Sequence, residues 1–60
     1  MKSSDFIKEL EANGWRLDRV KGSHHHFRHA DMLGTITVPH PKKDLKKGLV
    51  QAIRKQAGLK

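Results

Sequence analysis

The spacing of the apolar residues changes twice along this chain, and this change most constrains its fold. Apolar residues recur at helical spacing in residues 3–13, alternate as in strands over residues 15–38, and recur at helical spacing again in residues 45–57. Glycines and polar residues interrupt the alternating part twice. The pattern therefore predicts an α+β domain with the element order helix, strand, strand, strand, helix.

Local signals mark the expected ends of these elements. Ser3 or Ser4 is available as the N-cap of the first helix, and Asp44 is available for the second. A tight turn over residues 21–23 separates the first strand from the second, and a loop over residues 30–34 separates the second from the third, whose alternating part is residues 35–38. The three strands then form a small antiparallel meander.

One face of this sheet is expected to be covered by both helices, with the other face open. The residues expected in the shared core are Phe6, Leu10, Phe27, Ile36, Val38, Leu49 and Ile53. All 60 residues are expected to form a single domain, whose core must be thin at this size. The same element order occurs in double-stranded-RNA-binding domains, which points toward RNA, although a fold alone assigns no activity.

Charge and composition narrow the classes of function. Thirteen Lys and Arg residues against six Asp and Glu give a net charge of +7, which attracts polyanions but also suits a solvated surface. Four lysines are candidates for binding the RNA backbone: Lys42, Lys43, Lys46 and Lys47. The absence of cysteine excludes disulfides, Cys-based zinc sites and thiol catalysis, and it suits the cytoplasm. No apolar run is long enough to span a membrane.

The segment Gly22-Ser23-His24-His25-His26-Phe27 is the candidate site, because three consecutive histidines serve no ordinary structural purpose. Strand alternation places His25 and Phe27 on one side. It places His24, His26 and Arg28 on the other, wetter side. A glycine turn followed by two imidazoles and a cation on one face suits contact with a phosphate.

Three interpretations of these histidines compete. In the first, a histidine beside Lys21 and Arg28 acts as general base on a ribose 2′-hydroxyl, and no metal or cofactor is required. In the second, His24 and His26 bind a transition metal with a further histidine, His29 or His40. In the third, the histidines are inert. This is the preferred interpretation for His25, expected at the edge of the core, and for His29 and His40, both expected to be simply exposed.

Four segments of the chain resemble the HicA toxins of bacterial HicA and HicB toxin–antitoxin modules, and together they span nearly its whole length. They are the N-terminal Ser-Ser-x-x-Ile helix with Asn13-Gly14-Trp15, the run Lys21-Gly22-Ser23-His24-His25-His26-Phe27, the run Thr35-Ile36-Thr37-Val38-Pro39-His40-Pro41, and the ending Ile53-Arg54-Lys55-Gln56-Ala57-Gly58-Leu59. The glycine-serine-histidine run is the most specific of the four.

The resemblance implies a double-stranded-RNA-binding-like fold and a ribonuclease that cleaves messenger RNA without a metal. It implies a HicB-type antitoxin that covers the active face, with DNA contacted only indirectly through the antitoxin complex. The family's catalytic histidine follows the Gly-Ser pair, so the role falls on His24. Gly22, Ser23 and His26 are expected to shape the site, while Lys21, Arg28 and the four lysines bind RNA. The alternative is a non-catalytic basic RNA-binding module.

Overall fold

The computed structural model describes residues 1–59 as two helices and a three-stranded antiparallel sheet. In chain order the elements are α1 (Ser3–Ala12), β1 (Trp15–Lys21), β2 (His24–His29), β3 (Met32–Pro39) and α2 (Lys47–Gln56). The strands lie in the order β1-β2-β3, so each pairs with its neighbour in sequence. The predicted α-β-β-β-α order is confirmed, and Lys60, the last residue of the predicted domain, lies outside the described residues.

One hydrophobic core joins both helices to the same face of the sheet. Its buried members are Phe6, Leu10, Trp15, Phe27, Ile36, Val38, Leu45, Val50, Ile53 and Ala57. Because α1 and α2 both contribute to this cluster, they cover one face, as predicted, and leave the other to solvent. Within residues 1–59, neither ten-residue helix has the length and apolar composition needed to cross a membrane.

A buried serine anchors the start of α1. Ser3 is 1% exposed, and its Oγ accepts a hydrogen bond from the backbone N–H of Lys42 at 2.8 Å. The same hydroxyl lies 2.7 Å from Nδ1 of His40. The N-cap residue is Lys2, whose side chain makes no capping bond. The prediction that Ser3 or Ser4 caps α1 is therefore wrong, because the segment after β3 occupies the Ser3 hydroxyl.

A bulge interrupts β1 at Asp18. Leu17 pairs with Phe27, but the next pair joins Arg19 to His26, so Asp18 has no partner on β2. An extra residue reverses the facing of every residue that follows it in the strand. Leu17 therefore faces the helices, whereas Arg19 faces the open side, where simple alternation from Leu17 would not place it.

The third strand begins earlier than predicted, at Met32, after a connection of only two residues. The predicted loop over residues 30–34 is therefore wrong in its second half. Residues 33–35 of β3 lie opposite the single residue Arg28 of β2. Gly34, at the middle of this bulge, has φ +89°, a conformation that glycine adopts readily. Because the bulge interrupts the alternation of inward and outward residues, the first part of β3 does not show a strand pattern in the sequence.

The second helix begins at Lys47, later than its apolar pattern suggested. Leu45 is buried before the helix starts, and the apolar stripe of α2 is centred on Val50 and Ile53, each 5% exposed. The prediction that Leu49 is a core residue is wrong. With Val50 and Ile53 turned toward the core, Leu49 lies at the edge of the buried side of the helix and is 39% exposed.

The predicted N-cap of α2 is also wrong. Asp44 lies three residues before the helix, and its Oδ1 accepts a hydrogen bond from the N-terminal amine of Met1 at 3.0 Å. Lys46 is the N-cap residue and makes no side-chain capping bond. The backbone N–H of Leu45 donates to the Met1 carbonyl at 2.7 Å, so the N-terminus and this connection hold each other.

A bidentate ion pair joins the two helices. Arg54 of α2 donates from Nε and Nη2 to the two carboxylate oxygens of Glu9 of α1, each at 2.8 Å. These hydrogen bonds lower the pKa of Glu9 below its ordinary value of 4.5, although partial burial opposes the shift. The pair therefore favours the charged carboxylate in the folded state.

The substitution Glu9→Gln is expected to lower stability slightly at neutral pH, because both side chains of the pair are about one third exposed and solvent screens them. The folded pKa lies below the unfolded one, so the contribution is complete above 4.5 and is lost as the pH falls through the folded value. Urea midpoints of parent and variant should differ near pH 7 and converge at acid pH, once Glu9 is protonated in both the folded and the unfolded state. A constant difference at both pH values would assign the effect to shape instead of charge.

Candidate active site

The second strand presents different chemistry on its two faces. Phe27, 1% exposed, and His25 face the helices. His24, His26 and Arg28 alternate with them and face the open side. His24 is exposed and His26 is half-buried. The strand therefore separates two imidazoles and a cation from the core, in the arrangement that alternation predicted.

The turn before β2 fixes the position of His24. Gly22 and Ser23 connect Lys21 to its pairing partner His24, which makes a two-residue hairpin. Gly22 has φ +59° whereas Ser23 does not have positive φ, the sign pattern of a type II′ turn. The Ser23 carbonyl accepts a hydrogen bond from the backbone N–H of His40 at 2.8 Å. The turn is thus stabilised by the readiness of Gly22 to adopt positive φ and by the hydrogen bond from the segment after β3.

A neighbour on β3 holds His26 on the open face. Nδ1 of His26 lies 2.8 Å from Oγ1 of Thr37, its pairing partner. Nε2 is therefore the ring nitrogen that remains available to a ligand. The ring of His24 makes no hydrogen bond within residues 1–59, so the two imidazoles on this face differ: one is oriented by the sheet, and the other is free.

Cross-strand pairing lines the open face with positive charge. The pairs are Lys21 with His24, Arg19 with His26, and Arg16 with Arg28. Residues directly opposite each other in antiparallel strands project to the same face. Arg16 also donates to the Glu11 carbonyl at 3.2 Å. Arg19, Lys21 and Arg28 make no side-chain hydrogen bond or ion pair within residues 1–59 and are the cations available to a ligand.

Sequence reasoning predicted Lys21 and Arg28 for this face but missed two other cations, Arg16 and Arg19. Arg19 was missed because the bulge at Asp18 carries it to the open side. The signal was present in the sequence: the apolar residues Trp15 and Leu17 alternate, and the next one comes a residue late, at Val20. A one-residue slip within an alternating run indicates a bulge.

The four lysines predicted to bind RNA divide between two surface grooves. Lys42 and Lys43 line a groove beside the start of α1, and Lys46 and Lys47 line another beside the start of α2. The first groove also contains His40, whose backbone bond to Ser23 places residues 42–43 near the His24 end of the sheet. Within residues 1–59, no residue of β2 lines either groove, so both grooves lie apart from the histidine face itself.

His29 has a structural role on the core side of the sheet. Its ring packs edge-on against Trp15 with ring centres 5.2 Å apart. Nε2 lies 2.9 Å from the carbonyl of Asn13, and Nδ1 accepts a hydrogen bond from the Asp31 N–H at 3.0 Å. The prediction that His29 is simply exposed is wrong, because one ring nitrogen is bonded to the end of α1 and the other to the connection between β2 and β3.

His40 is likewise half-buried instead of simply exposed. Its Nδ1 is paired with Ser3, and its ring meets that of His25 edge-on at 4.8 Å. His40 therefore lies on the opposite side of the sheet from His24 and His26, where it serves the packing of α1. Within residues 1–59, no group of three or more His, Asp or Glu side chains is arranged to hold a metal ion.

Comparison with known proteins assigns the chain to a family. The family model described as the HicA toxin of bacterial toxin–antitoxin systems matches residues 3–59. This chain belongs to the HicA toxin family. A chain in the solved structure titled "HicA3 and HicB3 toxin-antitoxin complex" is similar to it, with 38% sequence identity and a TM-score of 0.85. The match covers 100% of this chain and 97% of that chain. No curated protein sequence matches the chain.

The HicA resemblance carried by the sequence motifs is therefore confirmed. The family match includes both helices, all three strands and the turn before His24. The candidate site thus lies on elements that the HicA fold itself supplies, and no added segment is needed to build it.

Proposed function

We propose that this HicA-family protein is a toxin that cleaves messenger RNA without a metal, with His24 as the group that transfers protons. The observation that supports this proposal is the open face of the sheet, where an exposed imidazole lies among cations from two strands. Cations bind the phosphate backbone, and imidazole is the side chain that most readily exchanges protons near neutral pH. Gly22 and Ser23 present His24, and His26 borders it.

The pairing of cations on this face opposes folding, and this supports a ligand role. Like charges directly opposite each other destabilise a pair of strands. Arg16 lies directly opposite Arg28 on this face, so two like charges are paired there. Bound phosphates remove this repulsion, so the arrangement is explained if a polyanion occupies the face. Local features that oppose folding are expected at functional sites.

In the proposed reaction, His24 takes the proton of a ribose 2′-hydroxyl, and the 2′-oxygen attacks the adjacent phosphorus. Lys21, Arg28 and Arg19 neutralise the charge that develops on the non-bridging oxygens. The bond from phosphorus to the 5′-oxygen breaks, and a protonated group gives that oxygen its proton. The products are a 2′,3′-cyclic phosphate and a 5′-hydroxyl. DNA lacks the 2′-hydroxyl and is not cleaved.

The RNA backbone is proposed to continue from this face toward the turn at the start of β2. Lys42 and Lys43, at that end of the sheet, extend the cationic surface made by Lys21 and Arg28. Lys46 and Lys47 line the separate groove beside the start of α2 and are proposed to contact only a longer RNA. Each phosphate contact releases a counterion and so makes the affinity for RNA more dependent on salt.

A HicB-type antitoxin is proposed as the protein partner. The similar solved chain is part of a complex of HicA3 with HicB3. A partner that places acidic groups over the open face would neutralise Arg19, Lys21 and Arg28 and exclude RNA from His24 in one step. Contact of this chain with DNA is then indirect, through the antitoxin.

The proposal is tested with purified protein and a labelled RNA in the presence of a chelator. A matched RNA carries 2′-deoxyribose at each cleaved linkage, so that only the attacking group changes. We expect cleavage of the first RNA, with 2′,3′-cyclic phosphate ends, and none of the second.

Any of three results would contradict the proposal. Cleavage of the deoxy-substituted strand would mean that the 2′-hydroxyl is not the nucleophile, and loss of cleavage in chelator would mean that a metal is required. Binding of both RNAs with cleavage of neither would identify a non-catalytic RNA-binding module.

A further inference from the structure

We propose that His26 is the general acid of this reaction and protonates the leaving 5′-oxygen while His24 acts as the base. The inference rests on the proposed ribonuclease function and assigns the second proton transfer that this function requires. Four observations support it: the spacing of the two residues along β2, the bond to Thr37, the register with Arg19, and the chemistry of the other groups on the face.

The spacing suits a displacement at phosphorus. In such a step the entering and leaving oxygens lie roughly in line on opposite sides of the phosphorus, so base and acid must approach from different directions. His24 and His26 are two positions apart on one strand face, which separates their Cα atoms by about 6.7 Å. A phosphodiester between the rings can therefore present one bridging oxygen to each.

The hydrogen bond to Thr37 determines which nitrogen faces the substrate. Nδ1 of His26 is paired with Oγ1 of Thr37 at 2.8 Å, so Nε2 faces the ligand. When the ring is protonated, Nδ1–H donates to Oγ1 and Nε2–H remains for the leaving oxygen. After that proton is transferred, the neutral ring keeps its Nδ1 proton, and Nδ1–H still donates to Oγ1. The threonine therefore accommodates the ring before and after the step.

The register with Arg19 brings a cation beside this ring. Arg19 is the cross-strand partner of His26 on the open face, and its guanidinium makes no hydrogen bond within residues 1–59. A guanidinium beside the acid binds the non-bridging oxygens and holds the phosphorus next to Nε2. The bulge at Asp18 is what creates this pair.

The other groups on the face are unsuited to this proton transfer. Lysine and arginine hold their protons too strongly near neutral pH to be efficient acids. The remaining histidines, His25, His29 and His40, lie on the core side of the sheet. Within residues 1–59, His26 is therefore the one imidazole that shares the open face with His24.

Two protons and one bond to phosphorus change place in the proposed step. The 2′-oxygen gives its proton to His24 and forms the new bond to phosphorus. The bond from phosphorus to the 5′-oxygen breaks with its electron pair on that oxygen, which takes the Nε2 proton of His26. His24 ends protonated and His26 ends neutral, so the pair exchanges its protonation states in each cleavage.

The test compares ordinary RNA with RNA in which sulfur replaces the bridging 5′-oxygen at the cleaved linkage. A thiolate is a far weaker base than an alkoxide and leaves without protonation. His26→Asn should cleave ordinary RNA about 10²–10⁴-fold more slowly than the parent. On the sulfur-substituted RNA, this deficit should shrink to about tenfold or less, since the acid is no longer needed.

His24→Asn is the matched control, because it removes the other open-face imidazole. Its deficit should persist on the sulfur-substituted RNA, since the 2′-hydroxyl must still lose its proton. Thr37→Val should give a smaller deficit than His26→Asn, again relieved by sulfur, and Thr37→Ser should restore the parental rate. These threonine variants keep the test decisive if His26→Asn proves unstable.

Three results would overturn the assignment of His26. These are a parental rate for His26→Asn on ordinary RNA, a deficit that sulfur does not relieve, or a deficit of Thr37→Val equal on both RNAs. If the parent itself cleaves neither RNA, the proposed ribonuclease function fails and the assignment falls with it. The two failures are therefore distinguishable.

Discussion

Replacement of His24 by alanine is expected to slow RNA cleavage by about 10²–10⁴-fold, the range that proton transfer by a positioned side chain contributes. His24 is exposed, and its ring makes no hydrogen bond within residues 1–59, so its removal takes away no packing. The variant should keep the parental circular dichroism spectrum, thermal midpoint and RNA affinity. Single-turnover cleavage of labelled RNA gives the rate.

His29→Ala is the matched control for the loss of an imidazole. His29 packs against Trp15 on the core side, so this variant should lose stability but leave the cleavage rate of the folded protein unchanged. Expression of the parent in cells should arrest growth, and expression of His24→Ala should not. A parental cleavage rate in His24→Ala would exclude His24 as the proton-transferring group.

The order of elements could be predicted because it depends on local patterns. The helical spacing of Phe6 and Leu10, the alternation around Phe27 and the clean alternation of Ile36 and Val38 each reflect burial of one side of one element. Such burial is recorded in the sequence at short range. The same reasoning placed the two imidazoles of β2 on the open face.

Both bulges escaped prediction, because a bulge depends on the pairing of two strands. At Asp18 and around Gly34 one strand has more residues than its partner, which a single strand's pattern records only as an irregularity. The consequence for the site is large, since the first bulge carries Arg19 to the face of His24 and His26. Part of the cationic face was therefore invisible to simple alternation.

Side-chain partners that are distant in sequence were also beyond local patterns. Ser3 has the sequence position of an N-cap, but its hydroxyl is bonded to His40, 37 residues away. Leu49 has the spacing of a core residue, but burial of Leu45 before the helix begins shifts the buried stripe to Val50. In both cases a tertiary contact overrides a local preference.

Replacement of Phe27 by alanine is expected to have the largest effect on stability, a loss of about 3–5 kcal/mol. Phe27 is 1% exposed at the centre of the core, and the chain contains no disulfide to compensate. A domain of 60 residues has a free energy of unfolding of only about 3–9 kcal/mol. The variant should therefore unfold at a much lower temperature than the parent. Thermal unfolding followed by circular dichroism measures the loss.

The site should be lost with the fold in this variant, because Phe27 holds the strand that carries both open-face histidines. A slip of one residue in β2 would exchange its two faces and turn His24 and His26 toward the helices. Leu33→Ala is the matched control: Leu33 lies in the adjacent strand but is fully exposed at the bulge, so its loss should change stability by less than about 0.5 kcal/mol. Equal destabilisation by the two substitutions would mean that burial of Phe27 does not fix the register, and the face assigned to His24 would then need another cause.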